Sequence, residues 1–245
     1  MQGNRVGKIS NRKNMMKKAL LTGITGGLGC KLAARLGERG WNICGICRRE
    51  DERTESLLQV SKDGGWNLEL KVCDFVTAKD LESLQPWLST LAPQLDTFIH
   101  LAAPRLGLNP LWKETLPSLD CHWQTGARAA FQIISSIIRP MSKKEKSHIL
   151  FVLSEVISGV PPKGMSTYTI GKYALWGLAK AVSSEYEPRV KVTCLAPSIM
   201  DTDLLADLPE TAKQILVTAS PKGYQTVESF VQEIICTLEN HENGR

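Results

Sequence analysis

Tyr168 and Lys172 lie four residues apart on a helix that the apolar spacing predicts over Thr167–Tyr186. That spacing is about one helical turn, so both side chains belong to one face. A phenol with an ordinary pKa of about 10 exchanges protons poorly at neutral pH, and a nearby ammonium lowers that pKa. The pair therefore suits proton transfer to a carbonyl oxygen or from an alcohol. A half-buried ring beside a solvated charge is the structural alternative.

A glycine-rich loop follows the first predicted strand, Ala19–Leu21, and opens a helix over residues 28–38. This strand–loop–helix context is typical of a dinucleotide phosphate site. Gly23 permits a tight turn, Gly27 lets the backbone approach a pyrophosphate, and Gly29 allows close helix packing. The helix N-terminus adds N–H donors and partial positive charge. The predicted cofactor contacts in this loop are Thr22, Gly23, Thr25, Gly27, Leu28 and Gly29. A structural glycine turn is the alternative.

Short apolar runs alternate with helical patterns along the rest of the chain. Further strands are predicted at Asn42–Cys47, Leu68–Cys73, Thr97–Ala102, His148–Leu153 and Val190–Leu195, and further helices at Ala78–Leu91 and around Val227–Leu238. This order predicts an α/β fold: one doubly wound, Rossmann-type parallel sheet of six to seven strands with helices on both faces. Ligands then bind at the carboxyl ends of the strands.

Arg48 and Arg49 directly follow the second predicted strand. An NAD site places an acid there for the ribose 2′-hydroxyl, whereas two cations suit a 2′-phosphate. We therefore predict NADP(H) as the cofactor. A solvated charge cluster is the alternative.

These motifs resemble the short-chain dehydrogenase/reductase family, and in particular its ketoreductases, over about residues 17–204. Thr22–Gly29 matches T-G-x-x-x-G-x-G, Tyr168–Lys172 matches Y-x-x-x-K, and Pro197–Thr202 matches P-G-x-x-x-T with Ser198 in place of glycine. The resemblance implies that Asp74, with Phe75 beside it, lies near the adenine. It also implies that Lys172 holds the nicotinamide ribose and that Pro197, Ile199 and Thr202 pass along the nicotinamide.

The chain departs from the family pattern at three places. The family's N-N-A-G is here His100–Ala103; Ala102 and Ala103 remain small enough for the cofactor to approach, and His100 is expected to be structural. The family's serine lies thirteen residues before the tyrosine, which gives Glu155, yet we predict Ser154 because a carboxylate would repel the developing oxyanion. Ser158 is a weaker candidate. Gln124 falls where the family has a water-relay asparagine.

Composition excludes several other classes of protein. The chain has 245 residues, 42% of them hydrophobic, and a formal net charge of +5. No apolar run reaches the roughly 20 residues of a membrane span. The pair Cys44 and Cys47 lacks a second pair, so small apolar residues on a buried strand are predicted rather than a metal or redox site. Reduced thiols favour the cytoplasm.

Residues 1–16 are expected to be a disordered basic leader, or to precede a start near Met15 or Met16. Residues 17–245 are expected to form a single domain.

The leading hypothesis is an NADP(H)-dependent oxidoreductase that interconverts a carbonyl and a secondary alcohol, with Tyr168 as acid/base. The expected partner is a small-molecule substrate, with a carrier- or CoA-linked thioester as one candidate. Neither nucleic acid nor a membrane is expected as a partner. The protein is expected to form a homodimer or homotetramer. A mobile substrate lid is predicted from Ile199 to about Leu216. The alternatives are a non-catalytic NADP(H)-binding regulatory protein and an isomerase or dehydratase.

Overall fold

One parallel sheet organises the protein in a computed structural model that describes residues 16–243, with only the backbone at Glu242. Within that range the sheet has six strands in the order β3-β2-β1-β4-β5-β6. The strands are β1 Lys18–Thr22, β2 Asn42–Cys47, β3 Leu68–Val72, β4 Thr97–His100, β5 Ser147–Val152 and β6 Val190–Leu195. The predicted doubly wound fold is confirmed, with six strands rather than seven in the described part. The predicted leader, apart from Met16, lies outside the described residues.

Helices cover both faces of this sheet. They are α1 Gly27–Gly37, α2 Glu52–Asp63, α3 Ala78–Ser83, α4 Gln85–Leu91, α5 Leu116–Trp123, α6 Ala129–Met141, α7 Ser166–Tyr186, α8 Glu210–Ala219 and α9 Val227–Glu242. Residues from α1, α2 and α9 share one apolar core with alternate strand residues, and residues from α4, α6 and α7 share the other. Among the described helices, none is long and apolar enough to cross a membrane.

The predicted helix Ala78–Leu91 is interrupted, and the structure explains the interruption. It divides into α3 and α4 at Leu84, with Pro86 in the first turn of α4. Proline has no backbone N–H and is tolerated at a helix start rather than in a helix interior. The fourth strand also ends at His100 rather than Ala102, because the chain there leaves the sheet to border a cavity.

Cys44 and Cys47 are buried free thiols on β2 that belong to the cores on opposite faces of the sheet. Burial raises the pKa of the Cys44 thiol to about 12, so it stays protonated at neutral pH. Across residues 16–243, no three His, Cys, Asp or Glu side chains are grouped as metal ligands would be. The two cysteines pack as small apolar side chains in the hydrophobic cores on either face of β2.

The loop between β1 and α1 depends on two glycines. Gly23 has φ +66°, and a Cβ there would lie 2.9 Å from the Cα of Ala102. A Cβ on Gly29 would lie 2.3 Å from the carbonyl oxygen of Gly23 and 2.7 Å from the Cα of Ile24. These neighbours are backbone atoms that cannot rotate away, so α1 packs on its own preceding loop only because Gly29 has no side chain.

Gly29→Ala is expected to lower the free energy of unfolding by about 1–3 kcal/mol, the usual cost of forcing a methyl group into a packed site. Gly27→Ala is the matched control, since a Cβ there has no heavy atom within 4 Å. Urea denaturation of both variants measures the difference. Equal midpoints for Gly29→Ala and Gly27→Ala would contradict the packing argument.

Candidate active site

A cavity of about 830 Å³ opens at the carboxyl edge of the sheet. Its wall comes from the segments that follow all six strands, because parallel strands end at the same edge. The wall includes the glycine loop, the arginines after β2, the two residues after Cys73, the small residues after β4, Ser154 after β5, and the Pro197–Thr202 segment after β6. Tyr168 and Lys172 of α7 complete it.

The glycine loop presents the N-terminus of α1 to this cavity. Gly23, Thr25, Gly27, Leu28 and Gly29 border it, as predicted for a phosphate loop. The loop turns through a hydrogen bond from the Gly26 N–H to the Gly23 carbonyl, 3.1 Å long. In the described structure the N-terminus of α1 has neither a side-chain cap nor an acid in its first turn. Its N–H groups and partial positive charge are therefore free for a phosphate.

Thr22 does not border the cavity but lies directly beneath it, fully buried. Its Oγ1 accepts hydrogen bonds from the N–H groups of Leu101 at 3.1 Å and Ala102 at 3.3 Å. It also lies 2.9 Å from Nδ1 of His100. Thr22 thus ties the end of β1 to the end of β4, and holds Ala102 and Ala103 at the cavity wall.

His100 is fully buried at the end of β4 and does not border the cavity. Burial, with a smaller contribution from Lys172, lowers the pKa of its imidazole to about 3. The ring is therefore neutral throughout the physiological range, as befits a structural residue in the core.

The two arginines after β2 have different environments. Arg49 Nε lies 3.0 Å from Oδ2 of Asp51. Asp51 also caps α2 by accepting from the N–H groups of Arg53 and Thr54, and the Arg49 hydrogen bond, followed by these caps, lowers the pKa of its carboxyl. Arg48 borders the cavity, is exposed, and forms no ion pair with any described residue. Arg48 is thus the available cation, and Asp51, the acid between β2 and α2 that borders the cavity, is already engaged.

The remaining predicted cofactor contacts also border the cavity. Asp74 Oδ1 accepts from the N–H of Val76 at 3.1 Å, which shapes the turn after Cys73, and Phe75 is buried beside it. Pro197, Ile199 and Thr202 lie on the opposite side. The N–H of Gln225 donates to the Ile199 carbonyl at 2.9 Å. This bond anchors the segment to the chain that precedes α9.

Tyr168 and Ser154 are neighbours at the inner end of the cavity. The phenol is 6% exposed. Burial raises its pKa to about 12, a hydrogen bond with the Ser154 side chain acts in the opposite direction, and the charge of Glu155 adds to the rise. The lowering that the sequence predicted from Lys172 is not found: burial determines the direction of the pKa shift, and the one opposing contribution comes from Ser154. Tyr168 is a neutral phenol, which makes it a proton donor at neutral pH.

Lys172 lies one turn further along α7, with Nζ 5.6 Å from the centre of the Tyr168 ring. Nζ donates a hydrogen bond to the Val152 carbonyl at 2.9 Å. Burial lowers the pKa of the ammonium to about 8. The side chain is thus held at the end of β5, beside Tyr168, and borders the cavity.

Close helix packing sets the position of α7. A Cβ on Gly171 would lie 3.1 Å from the Cβ of His122 on α5. The rings of His122 and Tyr168 meet edge to face, with centroids 5.8 Å apart. Gly171, between the two reactive residues, therefore brings α5 against them.

Gln124 is the one predicted catalytic residue that the cavity does not include. It begins a π-helical turn, Gln124–Arg128, between α5 and α6. A π-turn widens the helix locally and is frequent at functional sites. Thr125 borders the cavity instead, together with Cys121. The Gln124 Oε1 is buried without a partner among the described residues.

Other cavity residues were not predicted as part of the site. Arg53 borders it and pairs with Asp203 at 2.5 Å, and Arg105 pairs with Asp207 at 2.7 Å. Both pairs reach the predicted lid, which contains a 3₁₀ turn, Asp203–Leu205, and α8. The paired residues are 150 and 102 positions apart in sequence, so no local sequence pattern could predict these two ion pairs.

Comparison with known proteins agrees with this arrangement. The sequence profile of short chain dehydrogenases matches residues 17–213. The chain belongs to the short-chain dehydrogenase family. Its members are oxidoreductases that bind a nicotinamide cofactor and act on small molecules. The family resemblance predicted from the sequence is thus confirmed.

Individual relatives are distant. The chain is 27% identical over 196 residues to tropinone reductase-like 3 of Erythroxylum coca, covering 80% of this chain and 74% of that protein. It is 26% identical over 191 residues to human dehydrogenase/reductase SDR family member 4, covering 76% of this chain and 66% of that protein. Among solved structures, levodione reductase superposes with a TM-score of 0.79 at 18% identity, covering 91% of each chain. A Sphingobium yanoikuyae short-chain dehydrogenase in complex with NADPH superposes with a TM-score of 0.78 at 18% identity, covering 92% of this chain and 85% of that one. At such identity the structures show the fold alone.

The buried Lys172 predicts a specific pH dependence of stability. Its folded pKa of about 8 lies below the ordinary lysine pKa of 10.5, so the unfolded chain binds the proton more tightly. Wild-type stability should therefore rise relative to Lys172→Met between pH 8 and 10.5, by up to about 1.4 kcal/mol per pH unit. Urea denaturation across that range measures it. Lys180→Met, which changes an exposed lysine of α7, should retain the wild-type profile; a Lys172→Met profile parallel to the wild type would refute the assignment.

Proposed function

We propose that this protein is an NADP(H)-dependent oxidoreductase that interconverts a carbonyl and a secondary alcohol. The observation that carries the proposal is that Tyr168, Ser154 and Lys172 border the same cavity as the glycine loop. A phosphate held at the N-terminus of α1 and a substrate beside Tyr168 would thus share one enclosed space. Family membership supports the reaction class.

The environment of Arg48 supports NADP(H) over NAD. Arg48 borders the cavity without an ion-pair partner in the described chain, whereas Asp51 is engaged by Arg49 and by the start of α2. An NAD site needs a free acid for the ribose hydroxyl, and a 2′-phosphate needs a free cation. The residues present fit the phosphate.

The chemistry then divides among three side chains, with the nicotinamide supplying or accepting the hydride. Ser154 donates a hydrogen bond to the substrate oxygen and orients it toward Tyr168. The Tyr168 phenol gives its proton to that oxygen in reduction and recovers one from the alcohol in the reverse direction. The Lys172 ammonium binds ribose hydroxyls and stabilises the phenolate that remains after the transfer.

The substrate end of the cavity is largely apolar. Its wall there includes Leu106, Val156, Met165, Leu205 and Leu216. Such a lining suits a ketone with an apolar body, bound beneath the lid. A carrier- or CoA-linked thioester is a candidate, and one matched relative, 25% identical over 197 residues, is a 3-oxoacyl-acyl-carrier-protein reductase of Aggregatibacter actinomycetemcomitans.

We further propose a homo-oligomer in the cytoplasm. Large apolar side chains are exposed along α5, α6 and the segment before them: Leu111 73%, Trp112 80%, Leu116 73%, Trp123 48% and Phe131 60%. Exposed apolar surface of this kind is typical of a protein interface, and a second copy is the occupant we propose. The seven cysteines are all free, which supports a reducing compartment.

Tyr168→Phe should lower kcat for ketone reduction by about 100-fold or more, the usual contribution of a positioned acid, while NADPH binding is retained. NADPH oxidation with a panel of ketones and a separate NADPH titration measure the two effects. Tyr173→Phe, on the exposed side of α7, is the matched control and should remain active.

The same assay separates the alternative functions. If Tyr168→Phe retains activity, the acid/base role is wrong. If the wild type binds NADPH tightly but reduces no ketone, a regulatory protein on this scaffold, or an isomerase or dehydratase that uses the same tyrosine, replaces the proposal.

Arg48→Glu should reduce the ratio of kcat/KM with NADPH to that with NADH by about tenfold to 100-fold, because a charge-assisted phosphate contact is lost and replaced by repulsion. Arg139→Glu makes the same charge change at an exposed site of α6 outside the cavity. Steady-state kinetics with both cofactors measures the ratio. An unchanged ratio in Arg48→Glu would refute the 2′-phosphate role.

A further inference from the structure

Glu155 is a carboxylate on the cavity wall that the proposed reaction does not use. It follows Ser154 directly, is half-buried, and borders the cavity. Its N–H donates to the Pro197 carbonyl at 3.0 Å, which fixes the backbone across β5 and β6. Its side-chain Oε2 is buried and has no hydrogen-bond partner among the described residues.

No cation of the described protein neutralises this carboxylate. Arg53 and Arg105 are paired with Asp203 and Asp207. Lys172 donates to the Val152 carbonyl, and its lowered pKa has burial as its single cause. The neighbouring part of the wall is apolar, with Val156 and Met165 among its residues. Glu155 is therefore an uncompensated negative charge in a mainly apolar region.

An uncompensated carboxylate has two unfavourable consequences here. A buried acceptor without a donor costs free energy of folding. The charge also acts on the reaction, since it helps to raise the pKa of Tyr168 and would repel the negative charge that develops on a carbonyl oxygen. A positive group on a ligand in the cavity would reduce both effects, because it would neutralise the carboxylate as a whole.

We propose that Glu155 determines substrate class by binding a protonated amine carried by the ketone or alcohol substrate. The inference rests on the proposed reaction and names the substrate class for it. The apolar wall would hold the carbon skeleton, Ser154 and Tyr168 the carbonyl oxygen, and Glu155 the ammonium. An anionic substrate is disfavoured, because its charge would lie against an acid that has no counter-ion.

The test compares two ketones of nearly equal shape that differ in charge. These are 1-methyl-4-piperidone, at a pH where its amine is protonated, and 4-methylcyclohexanone. Initial rates with NADPH give kcat/KM for each ketone in the full-length wild type, in Glu155→Gln, and in Glu114→Gln. Glutamine has nearly the same size as glutamate and removes the charge, replacing one acceptor oxygen with an NH₂ donor. Glu114 is the matched control, because its Oε2 is likewise buried and unpaired among the described residues but the cavity does not include it.

We expect the wild type to prefer the cationic ketone, and Glu155→Gln to lose at least about tenfold of that preference, as expected for a charge-assisted contact. The neutral ketone should be reduced by Glu155→Gln at least as well as by the wild type, since repulsion of the oxyanion is relieved. Glu114→Gln should retain the wild-type preference. Equal preference in wild type and Glu155→Gln, or an equal loss for both ketones, would overturn the inference.

Calorimetric titration of the protein–NADPH complex with each ketone separates this inference from the reaction itself. If neither ketone turns over but the wild type binds the piperidone at least about tenfold more tightly than Glu155→Gln does, the amine site stands and the proposed reaction fails. If turnover occurs and the two proteins bind the piperidone equally, the reaction stands and the amine site fails.

Discussion

The Thr22 hydroxyl is the interaction on which the cavity depends. It accepts hydrogen bonds from the backbone of Leu101 and Ala102, so the chain leaving β4 is held against the chain leaving β1. That approach is so close that any side chain on Gly23 would collide with Ala102. The glycine loop, the small residues after β4 and the start of α1 are therefore one packed unit. A cofactor that enters the cavity meets a backbone surface already arranged before binding, which lowers the entropy lost on association.

Burial controls the reactive pair more strongly than the two residues control each other. The same low-dielectric environment raises the pKa of Tyr168 and lowers that of Lys172. Both shifts favour the neutral forms, which suits a phenol that must hold a proton until the substrate oxygen develops negative charge. With a pKa of about 8, Lys172 is still mainly an ammonium at neutral pH. Held by the Val152 carbonyl, this ammonium would stabilise the phenolate once it forms. The sequence spacing alone predicted that the pKa of Tyr168 is lowered. Spacing shows that two residues are close together, but it does not show how deeply they are buried.

The fold and most of the cavity wall were predictable because they follow from periodic patterns. Strand ends in a parallel sheet converge, so residues placed directly after strands, such as Arg48, Asp74 and Ser154, had to meet at one edge. Gln124 could not be placed in the same way, since it lies on a helix and not after a strand, and the π-helical turn that it begins leaves no signature in residue type. The sequence alone could not show that Arg48 rather than Arg49 is unpaired, because this depends on which of the two arginines forms the ion pair with Asp51.

Charge is distributed unequally along the cavity, and this asymmetry bears on what can bind. The end near α2 carries Arg48 together with the positive N-terminus of α1, whereas the end near Tyr168 carries Glu155 as well as the ammonium of Lys172. In a cavity with apolar walls such charges are poorly screened. A ligand with a phosphate at one end is therefore drawn to the α1 end, and the proposed contact of a cationic substrate is with Glu155 rather than with the Tyr168 end as a whole. An anionic substrate would be attracted to the phosphate end and would compete with the cofactor there, while a cationic one is directed away from it. The charges that hold the cofactor thus favour a cationic rather than an anionic substrate.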